Sequence, residues 1–132
     1  MHRRHPWLAH AFPLTRPEAT PHGVAHMEWM LRALAGLGLD ANTMLHVCVS
    51  MAAFVRGNAA SLEAEAQAIR DTGVDDDAWI VGQARTFAAL FASGAYPALA
   101  SVMARPELEL DPDSVFAFGL ERQLDGLEAL IR

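Results

Sequence analysis

The sequence predicts an all-α domain, and three observations predict it. Apolar residues recur at spacings of three and four, Pro and Gly divide the chain into segments of helical length, and no stretch alternates apolar and polar residues as a half-buried strand does. The 132 residues, 52% of them hydrophobic, suffice for one compact domain with a core and are too few for two. A bundle of about five to six helices is the expected architecture.

A short first helix begins at Pro6, whose missing N–H suits a first turn, carries Trp7, Leu8 and Phe12, and stops at Pro13. Residues 14–17 form an extended link. A second helix takes Thr20 as N-cap and Pro21 as its first residue, and runs through Val24, Met27, Leu31 and Leu34 until Gly36 and Gly38 end it. Asp40 caps a third, long helix. Its Met44, Leu45, Val47, Cys48, Val49, Met51, Phe54, Val55 and Leu62 leave it apolar around much of its circumference, so it must be covered on more than one side.

Beyond Leu62 the sequence turns Ala/Glu-rich, and Ile69 to Asp77 reads as a polar connection in which Gly73 breaks the helix. Asp75, Asp76 and Asp77 restart one, their charges complementing the helix dipole. The fourth helix is expected to bury Ile80, Ala84, Phe87 and Phe91 and to end near Gly94. Pro97 then starts a further turn or two bearing Leu99, Val102 and Met103. After a loop from Arg105 to Leu110, Asp111 and Pro112 open the last helix, where Phe116, Leu120, Leu124, Leu127 and Ile131 form a stripe. Gly119 and Gly126 lie within that helix, each costing about 1 kcal/mol against Ala, so the close approach of another helix backbone is expected to compensate. Gly57 in the long helix poses the same question. The long helix and the last helix are therefore the candidates for an intermolecular bundle.

Composition excludes several classes of function. The net charge of -6 disfavours phosphate binding by bulk electrostatics, and all ten basic residues are Arg. Cys48 is alone, so no internal disulfide forms, and a reducing cytoplasm suits the chain. Apolar runs are interrupted too often for a membrane span, and the first residues lack the apolar core of a signal peptide.

The segments Arg4-His5-Pro6-Trp7-Leu8-Ala9, Thr15-Arg16-Pro17, Gly38-Leu39 before the long helix, Phe54-Val55-Arg56-Gly57, and above all Phe116-Ala117-Phe118-Gly119-Leu120 followed by Asp125-Gly126-Leu127-Glu128 resemble the C-terminal domain of tetracycline-repressor-type (TetR) regulators in order and spacing. The resemblance spans nearly the whole chain. It implies a homodimer in which the long helix and the last helix of each subunit form a four-helix bundle, with Phe54, Val55, Phe116, Gly119, Leu120, Leu124, Gly126 and Leu127 at the interface. It further implies an effector pocket lined by Trp7, Phe12, Met27, Met30, Leu31, Leu45, Cys48, Val49 and Ala52. The tetracycline repressor holds its magnesium-bound drug with a histidine where Phe12 stands here and an amide near Met30, so a small apolar or aromatic effector is expected instead, with no metal or other cofactor. Residues 1–132 are read as this regulatory domain alone, because nothing before His5 encodes a helix-turn-helix; DNA is reached only through a head absent from the chain. The alternative is a stand-alone helical small-molecule-binding or interaction module without DNA-binding function.

Other residue patterns invite chemistry. His22 and His26 stand one turn apart, as two ligands of one ion do, but no third ligand stands at a known spacing and a solvated polar face is the expectation. His46 and Ser50 share that relation, yet the sequence shows neither an orienting acid nor an oxyanion site, so no enzyme activity is expected. Cys48 is read as a small apolar core residue. Glu63, Glu65 and Asp75 to Asp77 are read as solvated, and Arg122 with Asp125 either pairs across a two-fold axis or forms a surface ion pair.

Overall fold

The computed structural model describes residues 19–108 and 110–132. The helix expected from Pro6 to Pro13, with Trp7 and Phe12, lies outside the described residues. Five helices follow in order: α1 (Pro21–Leu34), α2 (Ala41–Thr72), α3 (Asp76–Ala92), α4 (Pro97–Met103) and α5 (Pro112–Ile131), with no strand among the described residues.

Each start is set by a local acceptor. The Thr20 hydroxyl oxygen accepts from the Gly23 N–H at 3.2 Å, and Pro21 needs no partner for a missing donor. Asp40 accepts from the Asn42 and Thr43 N–H groups at 2.9 and 3.1 Å, and the Thr43 hydroxyl donates to its second oxygen at 2.6 Å. Three charge-stabilising donors on one carboxylate hold its pKa below the ordinary value, the hydroxyl contributing most. Asp75 caps α3 through the Ala78 N–H at 2.9 Å, and Asp111 caps α5 through the Asp113 and Ser114 N–H groups, both at 3.0 Å.

One boundary differs from the expectation. The polar stretch after Leu62 does not become a connection at Ile69; α2 continues to Thr72 and reaches 32 residues, roughly 48 Å. Ala, Glu, Gln and Arg are strong helix formers, and side chains one and two turns apart support one another. Arg70 reaches back to Glu63 at 3.0 Å and to Gln67 at 2.6 Å, while Gln67 donates to Asp71 at 2.7 Å. Only Gly73 stops the helix. Its φ of 69° is a left-handed geometry costly for any residue with a Cβ, and its N–H closes the last turn onto Ile69 at 2.8 Å.

The long α2 is the spine: both α1 and α5 pack on it, while Leu45 and Val49 of its apolar surface stay exposed within the chain. Leu34, Cys48 and Ala59 are the buried apolar residues of the described chain. The reading of α3 needs correction. Ile80, Ala84 and Phe87 are exposed and Phe91 is half-buried, because α3 makes no substantial contact with α1, α2 or α5. Its apolar stripe is real, with the Phe87 and Phe91 rings stacked at 5.9 Å, but no described helix of the same chain covers it.

Candidate functional site

On α1, the residues that are not exposed are Met27, Met30, Leu31 and Leu34, a stripe at spacings of three, one and three that one face of a helix presents. Leu34 is the deepest, at 7% exposure. On α2, Cys48 is 2% exposed and Ala52, one turn on, is half-buried, followed by Val55 and Ala59 on the same face. Thus five of the nine expected pocket residues, Met27, Met30, Leu31, Cys48 and Ala52, lie on covered faces of the α1–α2 pair. Leu45 and Val49 do not: they are 45% and 36% exposed. Val49 follows Cys48 by one residue and so points about 100° round the helix. Trp7 and Phe12 are outside the described residues. Leu34 continues the Met27–Met30–Leu31 stripe by one turn and was not among the expected pocket residues; that spacing was the signal that it shares their face.

The chemistry of this face is apolar. Burial pushes the Cys48 thiol above its usual pKa, leaving it neutral and a poor nucleophile near pH 7. The Ser50 hydroxyl donates to the Val47 carbonyl at 3.1 Å, so its proton is engaged by the helix backbone and not by His46. His26 stacks on Trp29 at 6.2 Å on the exposed side of α1. Among the described residues no group of three His, Cys, Asp or Glu side chains is arranged to hold a metal ion. No described helix is long and apolar enough to cross a membrane.

The second region of interest joins α2 to α5. The Phe54 and Phe116 rings stack with centroids 5.3 Å apart and planes 18° from parallel. A Cβ added at Gly119 would stand 2.6 Å from the edge of Phe54. The expected compensation for this glycine is therefore corrected: what approaches it is an aromatic ring of the same chain, where a neighbouring helix backbone was anticipated. Gly126 and Gly57 face open space within the chain. Of the remaining residues expected at an interface, Val55, Leu120 and Leu127 are half-buried, and Leu124 is 50% exposed. Arg122 pairs with Asp125 at 2.7 Å and Glu121 at 3.0 Å, and its guanidinium lies 5.4 Å from the Phe118 ring centre, so this cluster is satisfied within α5.

Glu65 stands across the α2–α3 turn from Asp75 and Asp76, and its pKa is raised chiefly by a hydrogen bond with the Asp76 carboxyl, with burial and the nearby negative charges adding to it. This acidic corner lies toward the C-terminal end of α2, away from Cys48 and Ala52.

Comparison with known proteins adds two findings. The sequence profile of the family described as tetracyclin repressor-like, C-terminal domain matches residues 1–131. A protein of Streptomyces coeruleorubidus, the HTH-type transcriptional repressor DrrR1, is 34% identical over 132 residues, which are 99% of this chain and 47% of that protein. The chain thus spans about half the length of the curated relative it matches.

Proposed function

The chain belongs to the tetracyclin repressor-like C-terminal domain family, and on that premise we propose that it is the homodimerising, effector-sensing part of a cytoplasmic transcriptional repressor. It is a regulatory ligand-binding domain by family. The proposal adds the effector's chemistry, the face that receives it and the partners. The effector is a small apolar or aromatic molecule, received where α1 meets α2 by Met27, Met30, Leu31, Cys48 and Ala52, with Trp7 and Phe12 completing the walls. DNA is read by a helix-turn-helix outside this sequence, and the domain acts by binding its effector better in one arrangement of helices than in another.

The observation that carries this reading is the covered α1–α2 face, which brings two methionines, a leucine, a neutral thiol and an alanine together without a charge. Such a surface rewards an apolar occupant and offers little to a metal-bound, polyhydroxylated one. Dimerisation is supported by the apolar residues that one chain leaves uncovered on α3 and α5, among them Trp79, Ile80, Leu124 and Leu130.

The test is a thermal-shift screen of hydrophobic and aromatic compounds on the native chain and on Met30→Gln and Phe12→His. A compound that stabilises the native chain and loses its effect in either variant places the effector on this face. Stabilisation indifferent to both substitutions removes the assignment.

A further inference from the structure

We propose that the Phe54 ring, seated on Gly119 and stacked on Phe116, is the contact through which α5 responds to the α1–α2 face, making Phe54 and Gly119 positioning residues for the effector response. The proposal rests on the effector reading above and names its transmission step.

Three observations carry it. First, α2 is one uninterrupted helix that bears both contacts: Cys48 and Ala52 belong to its buried face near α1, and Phe54 contacts α5. Cys48 and Phe54 are six residues apart, about 9 Å along the axis, so neither face of α2 moves without the other. Second, the contact has no slack. With no Cβ at Gly119, the ring edge comes so close to the α5 backbone that a Cβ there would stand 2.6 and 2.7 Å from two ring carbons. Third, the ring is held from a second side. Phe116, three residues earlier on α5, stacks on it at 5.3 Å, so the half-buried ring is braced by α5 on two sides against a displacement of α2. Close-packed contacts of this kind shift as units, which is how a small movement at one face becomes a discrete change at another.

The test uses Cys48 as its reporter, since it is the sole cysteine of the chain and its burial depends on the α1–α2 face. The rate at which an aromatic disulfide reagent modifies Cys48 is measured in the native chain, without effector. Gly119→Ala is expected to raise that rate about twofold or more, the lower end of the coupling that residues in contact show. Adding Phe54→Leu to Gly119→Ala removes the overlapping ring atoms and is expected to return the rate to near the native value. Gly82→Ala on α3, whose added Cβ meets nothing within 4 Å and whose helix makes no substantial contact with α1, α2 or α5, is expected to leave it unchanged.

A native rate in Gly119→Ala, or a raised rate that Phe54→Leu does not relieve, overturns the proposal. Should Gly119→Ala fail to fold by circular dichroism, Phe54→Leu alone carries the test, because it deletes the stack without adding atoms beside Gly119. A raised rate then supports the coupling and a native rate overturns it. Because no effector is used, failure here is distinct from failure to find a ligand for the α1–α2 face.

Discussion

Leu124→Ala tests the proposed dimer at a single side chain. Leu124 is 50% exposed on α5 and sits beside the stripe that contacts α2. Truncation removes three carbons, worth about 0.8 kcal/mol each when buried, and half of that value is available to a partner, which gives about 1 kcal/mol per copy. A two-fold interface contains the residue twice, so the dimer is expected to lose about 2 kcal/mol, or roughly thirtyfold in Kd. The protomer itself loses only about 1 kcal/mol from the half already covered, leaving it folded. Sedimentation equilibrium across a dilution series reads the Kd, and circular dichroism confirms the fold. A Kd within about twofold of the native value would show that this shoulder of α5 lies outside any interface, and a native chain that sediments as a single copy at micromolar concentration would remove the dimer altogether.

Two further outcomes follow from the packing and the caps. Leu34→Ala, at the most buried position of α1, is expected to cost about 2–4 kcal/mol in chemical denaturation, and a loss of only a few tenths would mean that α1 is not seated on α2. The Asp40 cap sets a pH dependence whose sign is fixed: the folded carboxyl titrates below its ordinary value of 3.8, so its contribution is present above that value and is lost as pH falls through the lower folded one. Asp40→Asn keeps an acceptor for the backbone but has no carboxyl to protonate, so stability measured from about pH 5 downward is expected to fall less steeply than in the native chain. Identical slopes would show that Asp40 is not held by its three donors.

What the sequence revealed was what neighbours along the chain decide. Thr20, Asp40, Asp75 and Asp111 were legible as helix starts because a cap binds an N–H two or three residues away, and Gly73 was legible as a stop because its backbone geometry is local. The end of α2 was misjudged for a related reason: Arg70 and Asp71 look like the start of a polar connection one by one, and only their pairing with Glu63 and Gln67 at turns of the helix makes them a continuation. The α1 face was readable from spacing, which put Met27, Leu31 and Leu34 on one stripe, although Val24 at the same spacing is exposed. What spacing cannot encode is which surface a stripe meets. Ile80, Phe87 and Phe91 form a stripe whether or not the same chain covers it, and the pattern Phe116-x-x-Gly119 gives no sign that Phe54, more than sixty residues earlier, fills the space above the glycine.

That separation bears on how one helix serves two purposes. Successive residues of α5 turn by about 100°, so Phe116, Gly119, Leu120, Gln123 and Leu127, its half-buried stripe, fall within an arc of about 100° directed at α2. Leu124 and Ile131 adjoin that arc on one side, and Val115 and Gly126 on the other, all exposed within the chain. On the proposed reading, a second copy therefore meets the shoulders of α5 while its central stripe stays on α2. A helix with one narrow stripe would have to choose between holding its own spine and holding a partner. With shoulders as well as a stripe, α5 touches both at once, so a shift of α2 at the effector face reaches the dimer contact through a single rigid element, and the close Phe54–Gly119 contact is part of that path.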